Sequence, residues 1–221
     1  MTAKIVTITN QKGGCGKTTL SMQLAGGLAR HGRVLVVDAD AQATATRWAA
    51  SAPDEQPFPA TVTGLAAAGA KLHREVRKYL PDYEYILIDC PPSVESPVPQ
   101  SALLVSDLAL IPIIPAPADL WAASGTRVLI DQAGALNETL RTLMIPNMVP
   151  HTRLGDEVLA ALSDHGISLT RTHLRQRTAY RESQVYGTTV HTMGSRARDA
   201  IDEVDQLLAE IITVLDGDNA R

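Results

Sequence analysis

The fold is decided by the stretch NQKGGCGKTT at residues 10–19, which joins two apolar segments of different periodicity. The segment before it is rich in β-branched residues and predicts a buried strand over residues 4–10. In the segment after it, Leu20, Leu24 and Leu28 recur at helical spacing and predict a helix over residues 17–31. A strand, a glycine-rich turn and a helix in this order are the context that a phosphate-binding loop requires.

The residues of this turn suit a polyphosphate and a metal ion. Glycines allow the backbone N–H groups to approach phosphate oxygens, and the start of the helix adds the positive end of its dipole. Lys17 supplies a positive charge for the outer phosphates, and the hydroxyl of Thr18 can ligate Mg²⁺. We therefore predict a nucleoside triphosphate site formed by Gly13, Gly14, Cys15, Gly16, Lys17, Thr18 and Thr19.

Acidic residues end two further predicted strands. Asp38 and Asp40 follow the apolar run at 33–38, and Asp89 ends the run at 85–89. Ligands of open α/β sheets bind at the carboxyl ends of the strands, so these carboxylates are expected near the phosphate loop. A carboxylate at such a place can hold Mg²⁺ directly or through water, and Asp89 is predicted to do so. Helix capping is an equal alternative for Asp38 taken alone.

The bulk composition favours one α/β domain over residues 1–221. The chain is 45% hydrophobic but only 4% aromatic, as expected for a parallel sheet covered by helices. Further strands are predicted at 108–115 and 140–147, a loop at 51–64 and a helix at 66–80. The predicted fold is a doubly wound, mostly parallel sheet flanked by helices. A net charge of −4 means that any contact with nucleic acid must come from a local basic patch.

Three motifs resemble those of the ParA/MinD family of P-loop ATPases. The run KGGCGKT at 12–18 resembles the deviant phosphate loop of that family, with a lysine at position 12 and Gln11 in place of glycine. The runs DADAQ at 38–42 and ILID at 86–89 resemble its acidic motifs, although Ala41 stands where the family often has proline. The resemblance covers nearly the whole chain and implies a P-loop NTPase fold with ATP and Mg²⁺ as cofactors.

The resemblance also implies roles for individual residues. Asp38 would lie near the metal together with Thr18 and Asp89, and Asp40 would orient the attacking water. Lys12 would reach across the interface of a face-to-face homodimer to the nucleotide of the partner. The catalytic residues implied are thus Lys12, Lys17 and Asp40.

Later parts of the chain extend the resemblance. The run IPIIPAPADL at 111–120 resembles the proline-rich loop of small ParA proteins, and Asn147 stands where the family contacts adenine. The basic segment at 171–181 resembles the region before the last helix, which in this chain is predicted to bind DNA phosphates. The candidates for that contact are Arg175, Arg177, Arg181, Arg196 and Arg198, each of which could instead be solvated or paired with the acidic last helix.

The leading hypothesis is therefore a small ParA-type partition ATPase without an N-terminal helix-turn-helix domain. Such a protein is cytoplasmic, binds nonspecific DNA of the nucleoid as an ATP-bound dimer, and is released when a ParB-like partner stimulates hydrolysis. The alternative is ParA-like positioning of a protein cargo, such as a chemoreceptor cluster or a carboxysome, through an adaptor protein.

Two other classes fit less well. A MinD-like membrane cycle requires a basic C-terminal helix, whereas this helix carries Asp202, Glu203, Asp205 and Glu210, so no membrane partner is expected. An iron–sulfur reductase of the nitrogenase iron-protein type would need cluster cysteines in later loops. The chain has only Cys15 and Cys90, both beside the nucleotide motifs.

Overall fold

The computed structural model describes residues 3–93, 95–115, 125, 128–150 and 168–217. Six strands in these residues form one parallel sheet in the order β3-β2-β4-β1-β5-β6. The strands are β1 (Lys4–Ile8), β2 (Val34–Asp38), β3 (Thr61–Gly64), β4 (Tyr85–Asp89), β5 (Leu108–Ile113) and β6 (Arg141–Pro146). The described helices are α1 (Lys17–Leu28), α2 (Thr44–Ala50), α3 (Leu72–Val76), α4 (Val98–Leu103), α5 (128–134), α6 (Thr178–Val185) and α7 (Arg198–Asp216). The prediction of a doubly wound parallel sheet is confirmed.

Helices cover both faces of the sheet, and the central strands place apolar side chains on both of them. On one face, side chains such as Val6 and Leu87 pack against α1 and α7. On the other face, Ile5 and Ile86 pack with residues of α3 and α4. The alternation of side chains along each strand sends neighbouring residues into opposite layers. Strand β1 lies inside the sheet, with β4 on one side and β5 on the other. The loop that follows β1 therefore lies at the centre of the carboxyl edge of the sheet.

Two local predictions need correction. The predicted loop at 51–64 ends in strand β3, which pairs with β2 at the edge of the sheet and keeps its side chains partly or fully exposed. An edge strand with one solvated face does not require the apolar run by which the inner strands are recognised. The predicted helix at 66–80 is divided into two short 3₁₀ turns around α3, because Gly69 adopts a φ of 52° and breaks the helix.

Some predictions lie outside the described residues. They are an amphipathic helix that the sequence predicts over residues 155–165, the second half of the proline-rich loop at 111–120 including Asp119, and the first part of a helix that the sequence predicts from Trp121 to Leu136. The later part of that helix is present as α5.

Candidate functional site

The glycine-rich turn forms an open cradle between β1 and α1. Gly14 and Gly16 have φ values of 75° and 86°, a left-handed conformation that glycine adopts without steric cost. Helix α1 begins after Gly16 with no side-chain cap, so the N–H groups of its first turn have no side-chain partner there. A Cβ placed on Gly14 would meet nothing within 4 Å, which shows that the cradle faces open space. This geometry fits a polyphosphate.

Two asparagines hold the cradle in shape. Asn10 accepts a hydrogen bond from the backbone N–H of Lys12 (3.0 Å) and donates to the carbonyl of Pro112 on β5 (2.8 Å). Asn147, just after β6, donates from Nδ2 to the carbonyl of Cys15 (2.8 Å). The loop is thus fastened at its beginning and near its end to the strands on one side of β1.

Lys17 folds back over the loop. Its side-chain ammonium donates to the carbonyl of Lys12 (2.9 Å) and lies 3.9 Å from the sulfur of Cys15. The residue is almost fully buried, so its charge is directed into the cradle and away from bulk water. A lysine held in this position can exchange the carbonyl partner for a phosphate oxygen, which is a stronger acceptor because it is charged.

Asp38 and Asp89 lie side by side because β2 and β4 pair in register at these two residues. Asp89 accepts hydrogen bonds from the hydroxyls of Thr18 (2.7 Å) and Ser21 (3.3 Å), so it contacts both the loop and α1. Burial raises the pKa of Asp89 to about 7, against the hydrogen bond from Thr18, and the nearby charge of Asp38 adds to the rise. A divalent cation at this place would favour the ionised carboxylate.

Asp38 also fixes the start of α2. Its Oδ2 atom accepts hydrogen bonds from the backbone N–H and the hydroxyl of Thr46, both 2.8 Å long, and its Oδ1 accepts one from the N–H of Asp40 (3.3 Å). Asp38 is not the N-cap residue of α2, which is Ala43, but it satisfies one backbone N–H of the first turn of that helix. A carboxylate has about four acceptor sites, so capping leaves capacity for a metal-bound water. Asp40 accepts from the N–H of Gln42 (2.9 Å) at the mouth of the site.

The donor set suits magnesium. Thr18, Asp38 and Asp89 present only hard oxygen atoms, and these are the ligands that Mg²⁺ prefers. Within the described ranges, no group of three or more His, Cys, Asp or Glu residues could hold a metal by itself. Mg²⁺ usually binds through one or two carboxylates together with substrate phosphates, so this arrangement fits the ion when a polyphosphate shares the site.

Asn147 has both ends of its amide occupied. Besides the bond from Nδ2 to Cys15, its Oδ1 accepts from the N–H of Met148 (2.9 Å), and the side chain is only 5% exposed. Met148 has a φ of 53°, which is unusual for a residue other than glycine. The structure therefore gives Asn147 a bracing function, and its predicted contact with adenine stays a prediction.

A small cavity opens beside Thr19, at the C-terminal end of the phosphate loop. It is bordered on one side by Asn147 and Met148 and on the other by the segment 175–184, including Arg177 and Tyr180. The cavity lies next to the last residue of the phosphate loop. The phosphate group nearest the nucleoside of a bound nucleotide would lie at this end of the loop.

The five candidate arginines fall into two groups. Arg177 forms ion pairs with Glu203 (2.7 Å) and Asp199 (2.9 Å) and, with Arg175 and Arg181, borders the cavity. Arg196 and Arg198 are exposed and line a polar cleft where α6 and α7 begin, and Arg177 borders this cleft as well as the cavity. Arg196 also lies over the ring of Tyr186, at 5.9 Å from its centre.

Several residues that shape the site had no predicted function. Asn10 belonged to the loop motif but was given no contact, and Ser21 could have been found because it lies one helical turn after Lys17, whose carbonyl it bonds (2.9 Å). Thr46 had no sequence signal, because its contact with Asp38 is defined only by the packing of separate elements. Glu203 was named only as one of the acids of the last helix with which the arginines could pair, and its partner is Arg177.

Comparison with known proteins finds relatives over nearly the whole chain. The profile of the CobQ/CobB/MinD/ParA nucleotide binding domain matches residues 6–211. The maintenance of carboxysome distribution protein A of Halothiobacillus neapolitanus is 32% identical over 206 residues, which are 93% of this chain and 94% of that protein. The sporulation initiation inhibitor protein Soj of Bacillus subtilis is 33% identical over 200 residues, 71% of this chain and 77% of that protein.

Solved structures share the fold. A variant of McdA from Cyanothece in complex with ATP has a TM-score of 0.80 and 17% identity, covering 95% of this chain and 96% of that one. In the described part of the chain, no helix is both long enough and apolar enough to cross a membrane.

Proposed function

The chain belongs to the CobQ/CobB/MinD/ParA family of nucleotide-binding domains, and from that membership we propose that it is a ParA-like ATPase that positions a protein cargo. The observation that carries the ATPase part is the alignment of Asp38 with Asp89 beside the phosphate loop, with Thr18 bonded to Asp89. The cargo part is supported by the relative from Halothiobacillus neapolitanus, whose name refers to carboxysome distribution and which matches almost end to end.

In this proposal the nucleotide is ATP with Mg²⁺. The phosphates lie on the backbone from Gly13 to Thr19 and on Lys17, and the nucleoside enters the cavity between Thr19 and Asn147. Thr18, Asp38 and Asp89 hold the ion, which would neutralise charge on the phosphate oxygens. The protein contributes position and charge, which supply most of the catalysis in phosphoryl transfer.

Asp40 and Lys12 complete the proposed catalytic set. Asp40 lies at the mouth of the site, held by Gln42 and by its own link to Asp38, and we assign it the orientation of the attacking water. Lys12 stands at the start of the cradle, where its charge can reach a nucleotide held by a second copy of the chain. ATP would then join two protomers face to face.

The ATP-bound dimer is proposed to bind nonspecific DNA as its track. Arg181 and Arg198 are exposed and form no ion pair within the described residues, and Arg196 contacts only the ring of Tyr186 there. Such guanidinium groups can bind phosphates and release counterions, so the affinity should fall steeply with salt. An adaptor on the cargo would stimulate hydrolysis and release the dimer.

A second candidate function is the segregation of a plasmid or chromosome with a ParB-like partner. It is favoured by the Soj relative of Bacillus subtilis, although that match covers less of this chain than the carboxysome relative does.

Two experiments test the proposal. The first measures binding of the protein to a random-sequence duplex with ATP and Mg²⁺ over a range of salt, with ADP as the control. Binding that is absent, or is the same with ADP, would contradict the ATPase switch. The second deletes the gene in the native host and records both the spacing of protein compartments and the loss of plasmids. Disturbed spacing with normal DNA inheritance is expected, and the reverse result would favour the second candidate.

A further inference from the structure

One carboxylate on α7 holds the wall of the cavity that faces Asn147. The Oε1 atom of Glu203 accepts from Nε (2.9 Å) and Nη2 (2.7 Å) of Arg177. Its Oε2 atom accepts from the hydroxyl of Tyr180 (3.1 Å) and from the backbone N–H of Arg175 (3.2 Å). Both carboxylate oxygens are thus used to hold three residues that border the cavity.

These bonds are sheltered from water. The side chain of Glu203 is 15% exposed and that of Arg177 is 22% exposed, so water screens the pair only weakly. Burial raises the pKa of Tyr180, and the charge of Glu203 raises it further, so the tyrosine remains a hydrogen-bond donor. The hydrogen bond to Glu203 likewise raises the pKa of Arg177. Charge-assisted bonds of this kind are stronger and more directional than neutral ones.

We propose that Glu203 is a positioning residue for nucleotide binding: it fixes Arg177 and Tyr180 as the wall against which the nucleoside part of the nucleotide lies. This inference rests on the proposed function. It also assigns Arg177 to the nucleotide site, although Arg177 borders the polar cleft as well, because the same Glu203 that holds its guanidinium also holds Tyr180 at the cavity. Arg198 is exposed and forms no ion pair within the described residues, so it stays on the proposed DNA surface.

Glu210 offers a matched control on the same helix. It lies seven residues after Glu203 and accepts hydrogen bonds from the backbone N–H groups of Arg171 (2.9 Å) and Thr172 (2.7 Å). It therefore anchors the start of the same segment to α7 but does not border the cavity. A change at Glu210 disturbs the packing of the segment without changing the proposed wall.

The experiment compares Glu203→Gln with Glu210→Gln in two binding assays. The first measures affinity for a fluorescent ATP analogue with Mg²⁺, and the second measures competition by inorganic tripolyphosphate, which has no nucleoside. We expect Glu203→Gln to weaken binding of the ATP analogue about tenfold, the loss of about one charge-assisted bond. Competition by tripolyphosphate should stay within about twofold of wild type, and Glu210→Gln should change neither value by more than that.

An Arg177→Met variant keeps the inference testable if Glu203→Gln folds poorly. Arg177→Met should weaken binding of the ATP analogue by a similar factor and leave DNA binding at saturating ATP unchanged. In the double variant it should add little to the loss of affinity caused by Glu203→Gln, since both changes act through one contact. Equal effects of Glu203→Gln and Glu210→Gln, or an equal loss for tripolyphosphate, would overturn the inference. A wild-type protein that binds neither ligand would instead overturn the proposed function.

Discussion

Replacement of Asn147 by alanine should damage the phosphate loop before it affects recognition of the base. The amide makes two buried hydrogen bonds, to the carbonyl of Cys15 (2.8 Å) and from the N–H of Met148 (2.9 Å). Each polar group left buried without a partner costs about 1–3 kcal/mol. Relaxation of the unfavourable φ at Met148 offsets about 1 kcal/mol of that cost. We therefore expect Asn147→Ala to lower the free energy of unfolding by about 3 kcal/mol.

Urea denaturation measures this loss directly. A denaturant slope of about 3 kcal/mol per M places the shift of the midpoint near 1 M. Asn147→Asp is the matched control, because it keeps the acceptor for Met148 but sets a carboxylate oxygen against the carbonyl of Cys15. It should be at least as destabilised as the alanine variant.

Ligand binding then separates bracing from base contact. A loosened loop binds every polyphosphate less tightly, so Asn147→Ala should lower the affinities for ATP and for inorganic tripolyphosphate by the same factor. If only ATP binding falls while the midpoint in urea is unchanged, the bracing argument is refuted and the adenine contact implied by the resemblance is supported.

Three further predictions follow from single contacts. A Cβ on Gly187, whose φ is 63°, would overlap the backbone nitrogen of Ala52, so Gly187→Ala should unfold at a clearly lower temperature in calorimetry, and an unchanged Tm would contradict the contact. Asp40→Ala should form a stable dimer with ATP in sedimentation, because water orientation is lost while phosphate binding persists; a monomer would contradict the proposed dimer. Burial lowers the pKa of His191, against its bond to Asp205, so the unfolded chain binds more protons near pH 6. Stability should consequently fall as pH drops through about 6.5, and His191→Gln should reduce that slope.

The sequence predicted the inner sheet and the phosphate loop because their signals are local. Apolar runs that end in Asp38 and Asp89 identify buried parallel strands, and the glycines of the loop identify a turn that only such residues form easily. The edge strand β3 carried no such signal, since it is half solvated and is defined by its pairing with β2. Gly69 broke a predicted helix because one left-handed residue outweighs a pattern of apolar positions.

The acidic face of the last helix shows the limit of charge patterns. The sequence left open whether the arginines are solvated or paired with this helix, and the structure pairs Arg177 with Glu203 while Glu210 holds backbone N–H groups of the same segment. A charge run on a helix indicates only that its residues avoid an apolar core. Whether such a residue is solvated or forms an ion pair depends on which other segment of the chain packs against the helix.

By itself, then, the sequence determined the inner strands, the first and last helices, the phosphate loop and the residue types at the strand ends, because these depend on contacts between close neighbours. Only the tertiary structure decided that Asp38 stands in register with Asp89, that Asn147 braces Cys15 across 132 residues, and that Arg177 pairs with Glu203. These relations depend on how separate elements pack, and packing is fixed by the whole core rather than by any local run of residues.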